Sequence, residues 1–208
     1  MMNVWGMTDI GLVRRENQDA YAVYAGEETG FTICVVCDGM GGPGGGRLAS
    51  RLAVDAFLSA CRGNLRREMD WEQVREVTAF AVAEANAAVY ERSCSEEGLR
   101  GMGTTLVSAV VREGEALLDN VGDSRAYLVH NGGISRITRD HSVVERLVEQ
   151  GDCLLLCTDG LTGTVTDQEL ADEILRGTED NQCLDRLLAL AKSQGAPDNV
   201  TAVLLRRQ

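Results

Sequence analysis

Four aspartates in this sequence share one local pattern. Asp38 ends the run FTICVVCD and precedes Gly39, and Asp159 ends CLLLCTD and precedes Gly160. Asp123 sits in the turn VGDSR, and Asp198, followed by Asn199, opens VTAVLL. Each carboxylate thus stands where an apolar strand begins or ends. In antiparallel sheets the end of one strand lies beside the start of its neighbour, so the four can gather on one rim. Carboxylates a few ångströms apart repel and stay ionised only with cations among them. Mg²⁺ or Mn²⁺, which take oxygen ligands and keep some of their waters, are the natural partners. Taken singly, Asp-Gly and Gly-Asp are ordinary turn dipeptides. The joint pattern is what points to metal chemistry.

The remaining composition narrows the mechanism. His130 and His141 are the only histidines and Lys192 the only lysine, every other base being Arg. Two histidines cannot build a His-rich zinc site, and neither lies near a nucleophile-elbow motif. No Gly-rich loop precedes Lys192, which removes a Walker-type phosphate cradle. A net charge of -12 argues against binding nucleic acid through its backbone. No apolar run is long enough for a membrane span, and MMNVWGMTDIGLVRREN lacks the marks of a secretory signal, so a cytoplasmic location is expected. The seven cysteines are odd in number and mostly lie inside apolar runs, as reduced core thiols do. Cys34 and Cys37 form a lone CxxC within an apolar strand and read as packing residues. An enzyme with this inventory works with carboxylates and arginines.

The elements that must position these groups are of both kinds. Alternating and β-branched runs predict strands near 3 to 9, 20 to 24, 31 to 37, 104 to 111, 115 to 121, 125 to 130, 133 to 137, 153 to 157 and 200 to 205. Helical spacing predicts helices near 47 to 62 and 71 to 92, with shorter ones at 142 to 149, 167 to 175 and 181 to 193. Asp167 and Asn181 stand where N-caps are expected. The segments at 62 to 70 and 92 to 101 read as solvated loops. The turns REGE, VGDSR and HNGG predict antiparallel meander pairing, and the class is α+β with helices packed on antiparallel sheets. The chain of 208 residues, with no repeat and no linker, fits a single domain over 1–208.

Two further motifs, RRENQD at 14 to 19 and GMGTT at 101 to 105, complete a series that runs on through VVCDGMGG, VGDSRAYL, TRDHS, LLLCTDGL and PDNVT. In this order the series resembles the metal-dependent protein serine/threonine phosphatases, the protein phosphatase 2C family, in its compact bacterial form. The resemblance implies an antiparallel β-sandwich flanked by helices, a four-layer αββα arrangement. It also implies two Mn²⁺ or Mg²⁺ ions per chain, with a weaker third. Asp38 would bridge two metals, the Gly39 carbonyl would bind one of them, and Asp159 and Asp198 would complete the second. Asp19 would act through metal-bound waters, Asp123 with Asp159 would hold the third ion, and Arg14 would hold the substrate phosphate. Hydrolysis would proceed by a metal-activated water. The implied substrate is a phosphoprotein of a cognate serine/threonine kinase, and the expected state is a monomer acting without nucleic acid or membrane.

The sequence departs from that family at three places. Met40 stands where some relatives carry a His proposed as general acid, and Arg47 replaces a common acidic residue. After TRDHSVVERLVEQ only Gly151 and Asp152 precede CLLLCTDG. The family's flap beside the active site, and strands next to it, have no room there. An alternative reading follows, a catalytically impaired metal-binding or regulatory module that keeps the fold. The run GGPGGGR reads as the turn from a metal-bearing strand into a helix, and His141 as a structural cap.

Overall fold

The computed structural model describes residues 2–42, 44–139, 142–176 and 180–208. In chain order the strands are β1 (Met2–Asp9), β2 (Asp19–Ala25), β3 (Thr32–Met40), β4 (Gly103–Thr104), β5 (Leu106–Arg112), β6 (Glu115–Val121), β7 (Arg125–His130), β8 (Gly133–Arg136), β9 (Ser142–Leu147), β10 (Cys153–Cys157) and β11 (Val200–Arg207). The helices are α1 (Gly45–Asn64), α2 (Trp71–Ser95), α3 (Asp159–Thr162), α4 (Asp167–Leu175) and α5 (Asp180–Ser193). One sheet has the order β1-β11-β10-β7-β8 and the other β2-β3-β5-β6-β9, and β4 pairs with the end of β3. All pairings among the described residues are antiparallel.

The four-layer αββα order follows from strands buried on both faces. In β3, Ile33, Val35 and Cys37 pack under α1 and α2, while Cys34 and Val36 enter the space between the sheets. In β10, Cys153, Leu155 and Cys157 face α3, α4 and α5, while Leu154 and Leu156 meet the other sheet. Period two in side-chain direction produces this division. It also settles the CxxC pair, because residues three apart in a strand point to opposite faces. Cys34 and Cys37 lie in different cores, and both are free thiols.

Helix ends follow local chemistry. Asp70 caps α2 through Gln73 in a reciprocal capping box. The cap of α4 is Thr166, boxed with Glu169, and not Asp167, which occupies the first helical turn. Asn181 falls inside α5 and does not precede it. The segment at 92 to 101 is more ordered than a solvated loop, since α2 runs on to Ser95 and a short 3₁₀ turn covers Glu97–Leu99.

Two further expectations are corrected. The 142 to 149 segment is not a helix: Ser142–Leu147 forms β9, hydrogen-bonded along the outer edge of β6. An open strand edge offers a row of unpaired backbone groups, and the adjacent Val143 and Val144 suit a strand better than a short helix without a packing surface. The VGDSR turn does not join neighbours within a sheet either; it carries the chain from β6 in one sheet to β7 in the other.

The short passage from β9 to β10 is fastened by Asp152. Its buried carboxylate accepts from the Glu149 N–H at 2.7 Å and lies 2.8 Å from His130 Nδ1. The Arg207 N–H donates to the Asp152 carbonyl at 3.0 Å and the Gly151 N–H to the Arg207 carbonyl at 2.8 Å. Replacing Asp152 by Ala leaves both side-chain partners unsatisfied. The Asp152→Ala variant should lose about 1–3 kcal/mol of stability, measured by urea unfolding. A loss below the error of that measurement would show that the passage holds without this carboxylate.

Candidate active site

The site is assembled where β3 and β10 end at the same rim of the sandwich. Asp19, at the start of β2, stands opposite Asp38 in the β2–β3 register. The backbone of Asp38 is held from its other side. Its N–H donates to Thr105 Oγ1 at 2.9 Å, and its carbonyl accepts from the Thr105 N–H and from Thr104 Oγ1, both at 2.9 Å. Gly39 follows because no side chain fits: a Cβ there would lie 2.0 Å from the Gly46 carbonyl oxygen. Asp159 opens α3 directly after β10, and a Cβ on Gly160 would lie 1.9 Å from the Asn199 carbonyl oxygen. The glycines beside the two aspartates are thus there for close backbone approach.

Asn199 ties the Arg14 loop to the sheet. Its side-chain amide donates to the carbonyls of Ile10 at 2.9 Å and Glu16 at 3.0 Å, and its Oδ1 accepts from the Gln18 N–H at 2.9 Å. The loop so held places Arg14 on Asp198 at 2.7 Å. A cavity of about 310 Å³ lies among Arg14, Asp38, Gly39, Asp123 and Asp198. Asp123 reaches it from the loop that crosses between the sheets, close enough that its charge acts on Asp159.

Crowding raises the proton affinity of these groups. Burial, followed by the charges of Asp19 and Asp159, pushes the Asp38 carboxyl up to about 8. Burial pushes Asp19 up to about 6, against the opposing hydrogen bonds of Thr201 and Thr158. Asp159 is raised as well, first by burial and then by Asp123, although the hydrogen bond that Asp38 gives it pulls the other way. Asp19 is 7% exposed; one oxygen accepts from Thr158 Oγ1 at 3.0 Å, and the other, Oδ1, has no hydrogen-bond partner.

Among the described residues no three acidic, His or Cys side chains are closed around a single point. The carboxylates engage protein groups instead: Asp38 bonds Asp159, Asp198 pairs with Arg14, and Asp19 accepts from Thr158. Their fit to a hard divalent cation rests on other observations. The donors are all oxygens, one buried carboxylate oxygen is unpartnered, and the cluster is destabilised by its own charge.

All seven expected positions, Arg14, Asp19, Asp38, Gly39, Asp123, Asp159 and Asp198, therefore come to one rim. Gln18, Thr105 and Thr158 support them and are not among the expected positions; each lies inside a motif singled out in the sequence, and Gln18 and Thr158 adjoin Asp19 and Asp159. Met40 is 56% exposed beside Gly103, with no titratable group to offer. His141 lies outside the described residues.

The sequence model of the family described as Protein phosphatase 2C matches residues 14–143. The chain belongs to the protein phosphatase 2C family. It is 31% identical to the serine/threonine phosphatase Stp of Listeria monocytogenes, over 96% of this chain and 94% of that one. A solved bacterial serine phosphatase superposes with a TM-score of 0.91 at 27% identity, covering 100% of this chain and 98% of that one. The catalytic domain of the phosphatase PstP, in complex with two manganese ions, gives 0.85 at 29% identity over 99% and 97% of the two chains. The alignment with Stp spans 239 positions against 208 residues here, so that protein phosphatase 2C relative has residues with no counterpart in this chain.

Raised carboxylate values have a definite sign in stability. Below the ordinary Asp value of 3.8 the native and unfolded chains both hold these protons. Between 3.8 and about 8 the native chain keeps protons that the unfolded chain has released, so stability falls as pH rises through that window. The melting temperature of the metal-free protein should accordingly decline from pH 5 to pH 8, and saturating Mn²⁺ should raise it most at the upper end. A melting temperature indifferent to Mn²⁺ at pH 8 would contradict the cluster's fit to cations.

Proposed function

We propose that this protein is a metal-dependent phosphatase, a single domain over residues 1–208, that hydrolyses phosphoserine and phosphothreonine in proteins. The observation that carries this reading is the gathering of Asp19, Asp38, Asp159 and Asp198 at one rim with Arg14 beside them. In it Asp38, the Gly39 carbonyl, Asp159 and Asp198 would hold two cations, Asp19 would contribute indirectly, and Asp123 with Asp159 would hold a weaker third. Manganese or magnesium suits these oxygen donors, and the two manganese ions of the PstP catalytic domain support the choice. When bound, such ions supply Lewis acidity and a water that is nucleophilic at neutral pH.

The chain's own residues perform the rest. Arg14 is exposed on a loop pinned by Asn199 and offers a planar fork to phosphate oxygens. Asp38, whose carboxyl is raised by burial and by the charges of Asp19 and Asp159, must release its proton before it can act as a ligand, which favours cation binding toward neutral and higher pH. Thr105 and Thr158 fix the Asp38 peptide and the Asp19 carboxylate, so the ligands need little rearrangement. Met40 has no proton to give, and protonation of the leaving serine or threonine oxygen falls to solvent.

A catalytically impaired module is the weaker reading: the curated relative matched over 96% of this chain is named a serine/threonine phosphatase, and Arg14 is retained beside the aspartates. The proposal extends to a monomer acting in the cytoplasm on the products of a cognate kinase, without nucleic acid or membrane. Among the described residues no helix is long and apolar enough to cross a membrane.

Hydrolysis of p-nitrophenyl phosphate should require Mn²⁺ or Mg²⁺ and vanish in EDTA; activity that survives complete metal removal would sink the proposal. Two variants separate the roles. Asp38→Ala should lose bound metal and more than about a hundredfold in activity together. Arg14→Ala should retain metal while kcat/KM falls about ten- to a hundredfold, mostly through KM. Equal loss of metal in both would mean that Arg14 is misassigned.

A further inference from the structure

The chain that carries the phosphate must lie across the rim of this site, and one side of that rim has a charge opposite to the protein as a whole. The net charge is -12. Yet the loop bearing Arg14 and the first turns of α1 present four arginines: Arg14 at the cavity, exposed Arg15 beside it, and exposed Arg47 and Arg51 one turn apart on the helix. The start of α1 is fixed against the cavity wall. Gln18 Oε1 would lie 2.5 Å from a Cβ on Gly46, and Ser50 Oγ donates to the Gln18 carbonyl at 2.6 Å.

Arg47 is held at this margin by Glu16, with its Nε 2.9 Å from the carboxylate and its side chain 51% exposed. Glu16 also accepts from the Gly44 N–H at 3.2 Å and from the Gln18 side chain at 3.4 Å, so it is shared among three donors. Asp38, Asp123 and Asp198 line the cavity itself, Asp198 being paired with Arg14, and exposed Asp55 lies one turn beyond Arg51. Arg15 and Arg51 form no ion pair among the described residues.

We infer that Arg15, Arg47 and Arg51 form a basic rim that selects phosphoserine and phosphothreonine segments flanked by acidic residues. The inference rests on the phosphatase reading above and names the substrate class of that same site. Arg47 is positioned by Glu16 yet keeps half its side chain in solvent, which presents a pre-oriented guanidinium to a carboxylate beside the phosphate. Complementary charge of this kind acts on encounter and register and is screened by salt.

The test compares kcat/KM for phosphothreonine peptides of equal length with Asp/Glu or Lys/Arg flanks, in Mn²⁺, with p-nitrophenyl phosphate assayed alongside. Acid-flanked peptides should be preferred about tenfold at low ionic strength, and the preference should shrink to about twofold near 0.5 M salt. Arg51→Glu, at an exposed and unpaired position where folding is not at stake, should reduce the preference, and adding Arg47→Glu should abolish or reverse it. A preference that is absent, favours basic flanks, or ignores salt and both variants, while p-nitrophenyl phosphate is hydrolysed, overturns the rim and leaves the phosphatase reading standing. Failure to hydrolyse p-nitrophenyl phosphate or any peptide overturns that reading and the rim with it.

Discussion

The antiparallel register of β2 and β3 sets Asp19 opposite Asp38, and the stacking of the sheets brings Asp159 and Asp198 to the same end. Carboxylates held this closely repel, and burial deprives them of the water that would screen them. Other features of the rim accommodate that arrangement. Threonines 105 and 158 donate to or accept from the aspartates, glycines 39 and 160 let neighbouring backbone approach, and Arg14 balances Asp198. A fold chosen for stability alone would place apolar or neutral residues here. The strained electrostatics are therefore the functional signature of the molecule.

The supports divide into two systems. Strands β3, β10 and β11 are packed on both faces and set the position of the rim aspartates by core contacts. The loop that holds Arg14 has no core of its own. It depends on Asn199, whose one side chain bonds three backbone groups of that loop, so Arg14 is located by hydrogen bonds and not by packing.

Much of this was legible in the sequence because strand ends and glycines carry strong local signals. FTICVVCDG announces a buried strand, its terminal carboxylate and the glycine that must follow. Legibility failed where tertiary context decides. The spacing of Val144, Leu147 and Val148 is that of a helix, and only the open edge of β6 selects β9. Gly122 and Asp123 signal a turn, but not that the turn leaves its sheet. Asp167 reads as the cap in sequence because adjacent residues can both accept from the first turn, and the reciprocal bond of Glu169 gives that place to Thr166. Thr158 and Thr105 carry no signal of their own, since a threonine in a strand is ordinary until its hydroxyl is seen to meet a carboxylate.

The two-sided burial of β3 has a consequence for how such a protein can diversify. A substitution at Val35 or Val36 disturbs one core or the other, and through the strand it shifts Asp38, so drift along this strand is closed to selection for new substrates. The exposed face of α1 is under no such constraint, and Arg47 and Arg51 can change sign without touching either core. The rim aspartates and the helix arginines thus stand on separately constrained residues, and the charge of that helix face can change in a lineage while the rim stays the same.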